Sequence, residues 1–575
     1  MKRYWKYIRP YIQYYILGPC FMMMEVVGDV LLPYMLAKII NQGIAERNVV
    51  YIIKIGAIMG FIAVIMAVGG VLGAWFASKA AMNFGADLRM DLFEKIQQFS
   101  FQNIDNFSTG SLITRLTNDI TQIQNMIMMT LRMCLRSPGI LIGAMVMAFV
   151  ISPKLAAIFI IVLPVLAVLI VVIMRCAFPQ FRTLQEKLDA LNSCIQEGLV
   201  GIRLIKSFVR GDYEEMRFEK RNQQLKEANL TAMKTMLLYT PLMTLALNIT
   251  TVVVVWSGGN MIVAGNMQVG DLTAFTNYIV QIMSSLTMLS IAFLNWARAI
   301  ASFRRVGEVL DEKIDLTDEN AKHKDRAVCE GSVEFQNVSF RYYKNSPEWV
   351  IENISFKLEA GKTLGIIGPT GSGKSTLVSM IPRLYDTDEG TVLVDGINVR
   401  DYGLKPLRDG IGMVLQNNTL FSGSITENLK WGDEDADENA VRKAAQNAQA
   451  AGFIDSFKDG YRTHLEQSGN NVSGGQKQRL CIARALLKCP KILILDDSTS
   501  AVDTATERAI REALHSEYKD MTKIIIAQRI RSVMDADEIL VLDNGKTAGF
   551  GTHEQLLADC PVYREIYDVQ NGREE

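Results

Sequence analysis

Long apolar segments are the feature of this sequence that most constrains its fold. A helix needs ~20 residues to cross the hydrocarbon core of a bilayer. Six segments are long enough, and they lie at 14–40, 51–78, 129–152, 155–174, 237–264 and 272–297. No Asp, Glu, Lys, Arg or His occurs between Lys234 and Asp271, and a buried helix of a soluble protein is rarely so uniformly apolar. The sequence therefore predicts an all-α membrane domain with six crossings over residues 1–310.

Basic residues indicate the orientation of this domain, because loops rich in Lys and Arg remain on the cytosolic side of a membrane. An even number of crossings places both termini on one side. Lys2, Arg3, Lys6 and Arg9 precede the first crossing, and Arg298, Arg304 and Arg305 follow the last. The short outer connections offer only Arg47 and Lys154, with Lys38 and Lys54 at their edges. We therefore expect both termini in the cytosol.

The two inner connections, 79–128 and 175–236, are much longer than the outer ones and have mixed-charge, helix-forming sequence. They predict two helical arms that extend into the cytosol toward a soluble domain. Each arm has a break at which a short coupling helix could lie. We place these breaks at 107–119 and 209–216.

Two acidic residues, Glu25 and Asp29, lie one helical turn apart in the first apolar segment, and thus on one helix face. A carboxylate at a membrane helix centre costs about 2.5–3.5 kcal/mol. The pair is therefore expected to face a cavity or the bundle interior. Contact with a cationic substrate is one interpretation; polar packing between helices and a position near the interface are the others.

Residues 331–575 read as an α/β domain after a linker at 311–330, and this region has a phosphate-binding pattern. GPTGSGKST at 368–376 follows the apolar run TLGII and precedes a helical pattern, which is the context that a P-loop requires. Its glycines let backbone amides turn toward phosphate oxygens, Lys374 supplies positive charge and Ser375 a magnesium ligand. The near balance of 60 basic and 61 acidic residues argues against a nucleic-acid partner.

A second element of this site is Asp496, which ends the apolar strand pattern KILILDD. A carboxylate at the carboxyl end of a strand beside a P-loop lies where Mg²⁺ needs an anion. Between the two elements stands NVSGGQ, in which Ser473, Gly474 and Gly475 open a long helical pattern. Its free amides predict a further anion site. One domain does not need two such sites for one ATP, so we expect the second to serve another domain's nucleotide.

These motifs resemble those of ATP-binding cassette (ABC) transporters, and the fused six-crossing domain is similar to the exporter class. The resemblance covers essentially the whole chain. It implies ATP and Mg²⁺ as cofactors, a lipid or apolar small-molecule substrate, and a bacterial inner-membrane location. It also implies that two such chains pair head to tail, each ATP lying between one chain's Walker motifs and the other chain's signature.

The resemblance assigns roles to individual residues. Those expected to bind ATP are Tyr342, Gly368, Pro369, Thr370, Gly371, Ser372, Gly373, Lys374, Ser375, Thr376 and Gln416. The expected magnesium ligands are Ser375, Gln416 and Asp496. The signature that contacts the partner's ATP is Ser473, Gly474, Gly475 and Gln476, and the D-loop contains Ser500 and Asp503.

Two positions depart from the family pattern at the catalytic end of this site. Asp497 stands where the family usually has a glutamate that activates water, and it is one methylene shorter. Gln528 stands in place of the switch histidine, and its neutral amide cannot carry imidazolium charge. The two departures together predict a degenerate site with slow or no hydrolysis. The alternative is an aspartate that still works with a rearranged loop.

The intact signature beside a degenerate Walker site predicts one subunit of a heterodimeric ATP-driven exporter, with multidrug or lipid export as the preferred substrate class. Three alternatives remain open. They are a mainly regulatory ATP-binding subunit, a slow homodimeric exporter, and an ATP-gated channel or importer of similar shape.

Overall fold

The computed structural model describes residues 2–344 and 346–570, and within this range it leaves out the side chains of residues 2, 290, 291, 293–295, 297 and 298. The chain divides into two compact units. The first comprises Met1–Gln97 and Gly110–Asp311, and the second comprises Gln98–Thr109 and Glu312–Glu575. Each unit is described separately below.

The first unit is helical. Its longer helices are Ile12–Lys38, Val49–Gln97, Ile120–Met133, Arg136–Ile151, Pro153–Val200, Gly211–Leu237, Tyr239–Val263 and Val269–Asp311. Five helical stretches in the described residues are long and apolar enough to cross a membrane: Trp5–Ile44, Val49–Gln97, Thr109–Ile151, Pro153–Val200 and Gly211–Val263. The sixth predicted crossing, 272–297, belongs to the helix Val269–Asp311, and part of its side chains lie outside the described residues.

The inner connections are helical because two of the long helices continue far beyond their apolar segments. Val49–Gln97 has 49 residues and Pro153–Val200 has 48. The short helices at the breaks are Phe101–Asp105 and Ile202–Ser207. Each lies before the predicted stretch, 107–119 or 209–216, so both short helices are closer to the N-terminus than predicted.

Local capping explains where the first short helix begins. The Ser100 side chain accepts a hydrogen bond from the Asn103 backbone amide, and the Asn103 side chain accepts one from the Ser100 amide. This reciprocal arrangement satisfies two amides that a helix start leaves without partners. The helix packs within the second unit, where the Tyr385 hydroxyl donates to Asp105 Oδ2 at 3.1 Å.

The second unit is an α/β domain built on a six-stranded sheet. In spatial order the strands are Lys546–Gly551, Glu538–Asp543, Thr363–Ile367, Thr522–Ile526, Ile492–Asp496 and Ile411–Val414. All neighbours pair in parallel except the first two. A four-stranded antiparallel sheet contains Ile351–Leu358, Val333–Phe340, Glu389–Val394 and Ile397–Asn398, and a third pair joins Gly423–Ser424 to His464–Leu465.

The central parallel strands are buried on both faces, as expected for a sheet covered by helices. All five residues of Ile492–Asp496 are buried. The helices of this unit include Lys374–Ser379, Gly474–Leu487, Thr504–Glu517, His553–Asp559 and Pro561–Gln570. The predicted fold class, a helical membrane domain followed by an α/β P-loop domain, is confirmed.

Candidate nucleotide-binding site

The site lies at the carboxyl edge of the parallel sheet, because four adjacent strands end there with functional residues. The P-loop follows Thr363–Ile367, and Asp496 ends the strand Ile492–Asp496. Gln528 lies just beyond Thr522–Ile526, and Gln416 just beyond Ile411–Val414. In parallel sheets, ligands bind at this edge. The strand order therefore assembles Lys374 and Gln528, which are 154 positions apart in the chain.

The P-loop backbone adopts conformations that require glycine. Gly373 has φ of 90°, and a Cβ built there would lie 2.9 Å from the Val350 carbonyl oxygen. Gly368 has φ of 154°, and its Cβ would lie 2.1 Å from the Leu542 carbonyl oxygen. Side chains are excluded at both positions by sterics and by conformation. These glycines let the loop lie close against two neighbouring segments of the domain.

Lys374 and Ser375 are the first residues of the helix that follows the loop. Lys374 Nζ donates to the carbonyl oxygens of Gly368 at 2.8 Å and Pro369 at 2.7 Å. Ser375 Oγ donates to Asp496 Oδ1 at 2.9 Å. Burial lowers the pKa of the Lys374 ammonium and raises the pKa of the Asp496 carboxyl, because a buried site disfavours the charged form of each.

A cavity of about 200 Å³ connects these groups. Its lining residues are Val350, Thr370, Gly371, Gly373, Lys374, Ser375, Thr376, Gln416, Asp496, Asp497, Ile526 and Gln528. Most of the predicted nucleotide residues thus lie around one space. Val350, from the loop before Ile351–Leu358, also lines it, and no sequence signal could have identified this valine.

The residues fit the cofactors that the motifs imply. Ser375 Oγ and Asp496 Oδ1 are adjacent oxygen atoms, and Gln416 lines the same cavity. Oxygen donors of this kind are the ligands that Mg²⁺ prefers. The P-loop amides and Lys374 suit the phosphates of ATP. When bound, Mg²⁺ would neutralise charge on the phosphates, and the chain's own residues would hold the nucleotide and orient it.

Asp497 and Gln528 contact each other directly. Gln528 Nε2 donates to Asp497 Oδ2 at 2.9 Å. Burial raises the pKa of the Asp497 carboxyl, against the effect of this hydrogen bond. Asp497 has φ of 47°, a left-handed conformation that aspartate adopts more readily than most residues. One oxygen of the shorter carboxylate is therefore engaged by the amide that replaces the switch histidine.

Tyr342, the residue expected to stack on adenine, lies beside the P-loop helix. Its hydroxyl is 2.8 Å from Thr376 Oγ1. The ring makes edge contacts with Phe340 and Tyr385, with centroid distances of 5.1 and 5.3 Å. These neighbours fix the ring orientation next to the phosphate-binding loop.

The signature stretch lies elsewhere in the domain, since Ser473, Gly474, Gly475 and Gln476 are not among the described residues that line the cavity. Ser473 caps the helix Gly474–Leu487: its Oγ accepts from the Gln476 amide at 3.3 Å, and Gln476 Oε1 accepts from the Ser473 amide at 2.9 Å. Ser473 and Gly474 are exposed. The start of this 14-residue helix is therefore open to a group from outside the domain.

The signature helix is tied to the D-loop by Gln478, which the sequence reading did not single out. Gln478 Nε2 donates to Ser500 Oγ at 3.2 Å, and the Ala501 amide donates to Gln478 Oε1 at 3.0 Å. Ser500 Oγ donates in turn to the Asp497 carbonyl oxygen at 3.0 Å. Asp503 caps the next helix through the Thr506 amide at 2.9 Å, which lowers the pKa of the Asp503 carboxyl.

In the first unit, Glu25 and Asp29 are paired with an arginine. Arg136 Nη2 lies 2.8 Å from Glu25 Oε1 and 3.4 Å from Asp29 Oδ2. The three side chains are 22–28% exposed. Arg136 begins a different helix, Arg136–Ile151, so the group is an ion pair between helices in which two carboxyl groups share one guanidinium, with a formal charge of −1. The sequence reading missed Arg136, because it lies over 100 positions from its partners.

Comparisons with known proteins agree with this architecture. Residues 15–286 match the family described as ABC transporter transmembrane region, and residues 351–500 match the family described as ABC transporter. The uncharacterized ABC transporter ATP-binding protein YfiB of Bacillus subtilis (strain 168) is 39% identical over 574 residues, 100% of this chain and 99% of that protein. The putative multidrug export ATP-binding/permease protein YgaD of the same organism is 33% identical over 588 residues, 99% of each chain.

A solved structure of a bacterial Atm1-family ABC exporter with ATP bound has a similar fold. The TM-score is 0.81 at 24% sequence identity, and the match covers 98% of each chain. The relative that is 39% identical over the whole chain shows that the chain belongs to the ABC transporter family. The chain fuses a membrane-spanning helical domain to an ATP-binding domain, has the fold of an ABC exporter, and is a multi-pass membrane protein of an ATP-driven transport system.

Proposed function

We propose that this chain is the degenerate-site subunit of a heterodimeric ABC exporter. It holds one ATP on its own Walker motifs, and its signature completes a competent hydrolytic site on the partner's Walker motifs. The observation that carries the proposal is the hydrogen bond between Gln528 and Asp497, which engages one oxygen of the carboxylate that would have to activate water.

Two geometric reasons support a weak catalytic base. General-base assistance contributes roughly 10²–10⁴ in rate and requires hydrogen-bond reach to the attacking water. Asp497 is one methylene shorter than glutamate, and its Oδ2 already accepts from Gln528 at 2.9 Å. A raised pKa makes the Asp497 carboxylate a better base in principle, but basicity does not replace reach.

The binding half of the site is complete, in contrast to its catalytic half. Lys374, Ser375 and Asp496 have the positions and contacts described above. Durable ATP binding would stabilise the paired state of two cassettes, and hydrolysis at the partner's Walker site would release it. Closure and release of the cassettes would bias the membrane domain between its inward- and outward-open states.

A nucleotide-exchange experiment tests the proposal. The assembly is purified from its own membrane with its native partner, loaded with radiolabelled ATP and chased with unlabelled ATP. We expect one slowly exchanging nucleotide per assembly, recovered as ATP. Lys374→Ala should weaken its retention roughly 30-fold, because charge-assisted hydrogen bonds to phosphate are lost.

Lys362→Ala is the matched control. Lys362 is an exposed lysine just before the strand Thr363–Ile367, at the end opposite the P-loop. It should leave retention unchanged. Recovery of the label as ADP, exchanging at the rate of steady-state turnover, would show an active hydrolytic site and contradict the proposal.

For the transported substrate we propose an apolar molecule with a cationic group, within multidrug export; a relative's name, multidrug export ATP-binding/permease protein, favours this class. Glu25 and Asp29 would line a substrate cavity in the membrane domain. Their group with Arg136 has one uncompensated negative charge, which would attract the cationic group. A positive group brought to a partly desolvated carboxylate is attracted strongly. Lipid export is the second candidate.

Asp29→Asn tests the cationic preference. The amide is isosteric, and the stronger pair between Glu25 and Arg136, at 2.8 Å, remains. We expect transport of a lipophilic cation to fall roughly tenfold, consistent with the loss of one partly screened charge, and transport of a neutral apolar dye to stay within about twofold. An equal loss for both dyes would contradict a charge-selective site.

We keep the division into a membrane domain at 1–310, a linker at 311–330 and an ATP-binding domain at 331–575. Both termini and the ATP-binding domain would face the cytosol of a bacterial inner membrane. A mainly regulatory ATP-binding subunit and a slow homodimer are the alternatives that the exchange experiment and the assembly's composition would separate.

A further inference from the structure

Gln570, the last described residue of the C-terminal helix Pro561–Gln570, forms hydrogen bonds with the loop that carries Gln528. Gln570 Nε2 donates to the Gln528 carbonyl oxygen at 2.7 Å, and the Ile530 amide donates to Gln570 Oε1 at 2.8 Å. The two backbone groups flank Arg529, which is extended, with φ of −99° and ψ of 128°. Gln570 therefore pairs with this loop as a neighbouring strand would.

Few side chains can make this pair of bonds. A primary amide presents a donor and an acceptor side by side, and in Gln570 both are used on backbone groups two residues apart. A carboxylate of the same shape would keep only the bond from the Ile530 amide and would place an oxygen against the Gln528 carbonyl. An alanine would keep neither bond.

Apolar packing holds the helix against the same loop. Ala527 and Ile530, on either side of Gln528 and Arg529, belong to a buried cluster with Tyr563. Ile566 and Tyr567, on the last turns of the helix, pack against that cluster. The loop is therefore anchored on both flanks, and Gln570 fixes the backbone between the anchors.

The loop carries the side chain that reaches the phosphate end of the site. Gln528 binds Asp497 and lines the cavity together with Lys374 and Ser375. A displacement of the Gln528 backbone would move its amide away from Asp497 and from the position of a terminal phosphate. By contrast, the P-loop, which holds the inner phosphates, follows a different strand.

We propose that Gln570 is a positioning residue for the terminal phosphate of ATP, acting through the Gln528 loop. The inference rests on the proposed role of Gln528 at this chain's own site. The C-terminal helix would thereby contribute to the preference of the site for ATP over ADP. None of its residues is among the described residues that line the cavity.

The test measures the affinities of the purified assembly for ADP and for adenylyl imidodiphosphate, a non-hydrolysable ATP analogue. The Walker lysine of the partner is replaced, so that only the site on this chain's Walker motifs binds nucleotide. Losing both neutral hydrogen bonds of this exposed side chain corresponds to roughly a fivefold change in an equilibrium constant, so Gln570→Ala should lower the analogue-to-ADP affinity ratio about fivefold. The isosteric Gln570→Glu loses one of the two bonds and places an oxygen against the Gln528 carbonyl oxygen, and it should lower the ratio by a similar factor. ADP affinity itself should not change.

Val569→Ala is the matched control, because Val569 is the preceding residue of the same helix and is 74% exposed. It should leave the ratio unchanged. An unchanged ratio in both Gln570 variants, or equal losses for the two nucleotides with a lowered Tm, would overturn the positioning role. The affinity ratio does not depend on ATP turnover, so it tests the role of Gln570 alone. Fast exchange of ATP in the unmodified assembly would overturn the proposed function instead.

Discussion

Restoring the family residues at both departures, as Asp497→Glu with Gln528→His, is expected to raise ATP hydrolysis at this chain's own Walker site by roughly 10²-fold or more. The glutamate would regain the reach of the missing methylene. The histidine would remove the amide that donates to Asp497 Oδ2. The gain is measured as steady-state ATPase activity in an assembly whose partner has lost its own catalytic base.

The single substitutions should each give much less than the double variant. Asp497→Glu alone leaves the Gln528 amide in place, and that amide can still donate to the carboxylate at position 497. Gln528→His alone frees a carboxylate that is still too short. We therefore expect the two substitutions to be strongly non-additive.

Asp543→Glu provides the control for lengthening an aspartate at the end of a strand. Asp543 ends Glu538–Asp543, a parallel neighbour of the P-loop strand, and it is not among the described residues that line the cavity. Its replacement should leave ATPase activity unchanged. No gain from the double variant would show that the missing base does not limit this site.

The second large effect is expected at the signature. Gly475→Asp should reduce the ATPase activity of the unmodified heterodimer roughly 10²-fold or more, because it removes a preorganised anion-binding surface. A Cβ at Gly475 would lie 2.7 Å from the Ala501 carbonyl oxygen, so the signature helix or the D-loop must shift. The added carboxylate would also repel the partner's nucleotide.

Retention of ATP by this chain's own Walker motifs should survive Gly475→Asp, because the facing signature there belongs to the partner. Gly452→Asp is the matched control: Gly452 is exposed, and a Cβ there meets nothing within 4 Å. Loss of retained ATP together with unchanged ATPase activity would show that this signature serves the chain's own nucleotide, and would contradict its assignment to the partner's nucleotide.

The sequence predicts the fold well because its strongest signals are local. Apolar length identifies membrane helices, and the strand, glycine-rich loop and helix of 363–379 lie together in the chain. The short helices in the arms were predicted too close to the C-terminus. The start of the first one is fixed by the reciprocal capping of Ser100 and Asn103, and neither residue type alone indicates that such a capping pair forms.

Local sequence signals do not predict contacts between residues that are far apart in the chain. Spacing alone does not say that Thr522–Ile526 lies between the P-loop strand and Ile492–Asp496, yet this order brings Gln528 to Asp497. Arg136 pairs with Glu25 across two helices, and Gln570 reaches a loop about 40 positions away. Each depends on tertiary packing, and each changes how a predicted site residue is understood.

The composition of the assembly tests the central claim most directly. The tagged chain is purified in detergent from its native membrane, and the intact complex is weighed and its subunits are identified by mass spectrometry. The account predicts one copy of this chain with one copy of a second half-transporter, which has glutamate after its Walker B aspartate and a switch histidine. A complex that contains only two copies of this chain would contradict it, because both nucleotide sites would then carry Asp497 and Gln528.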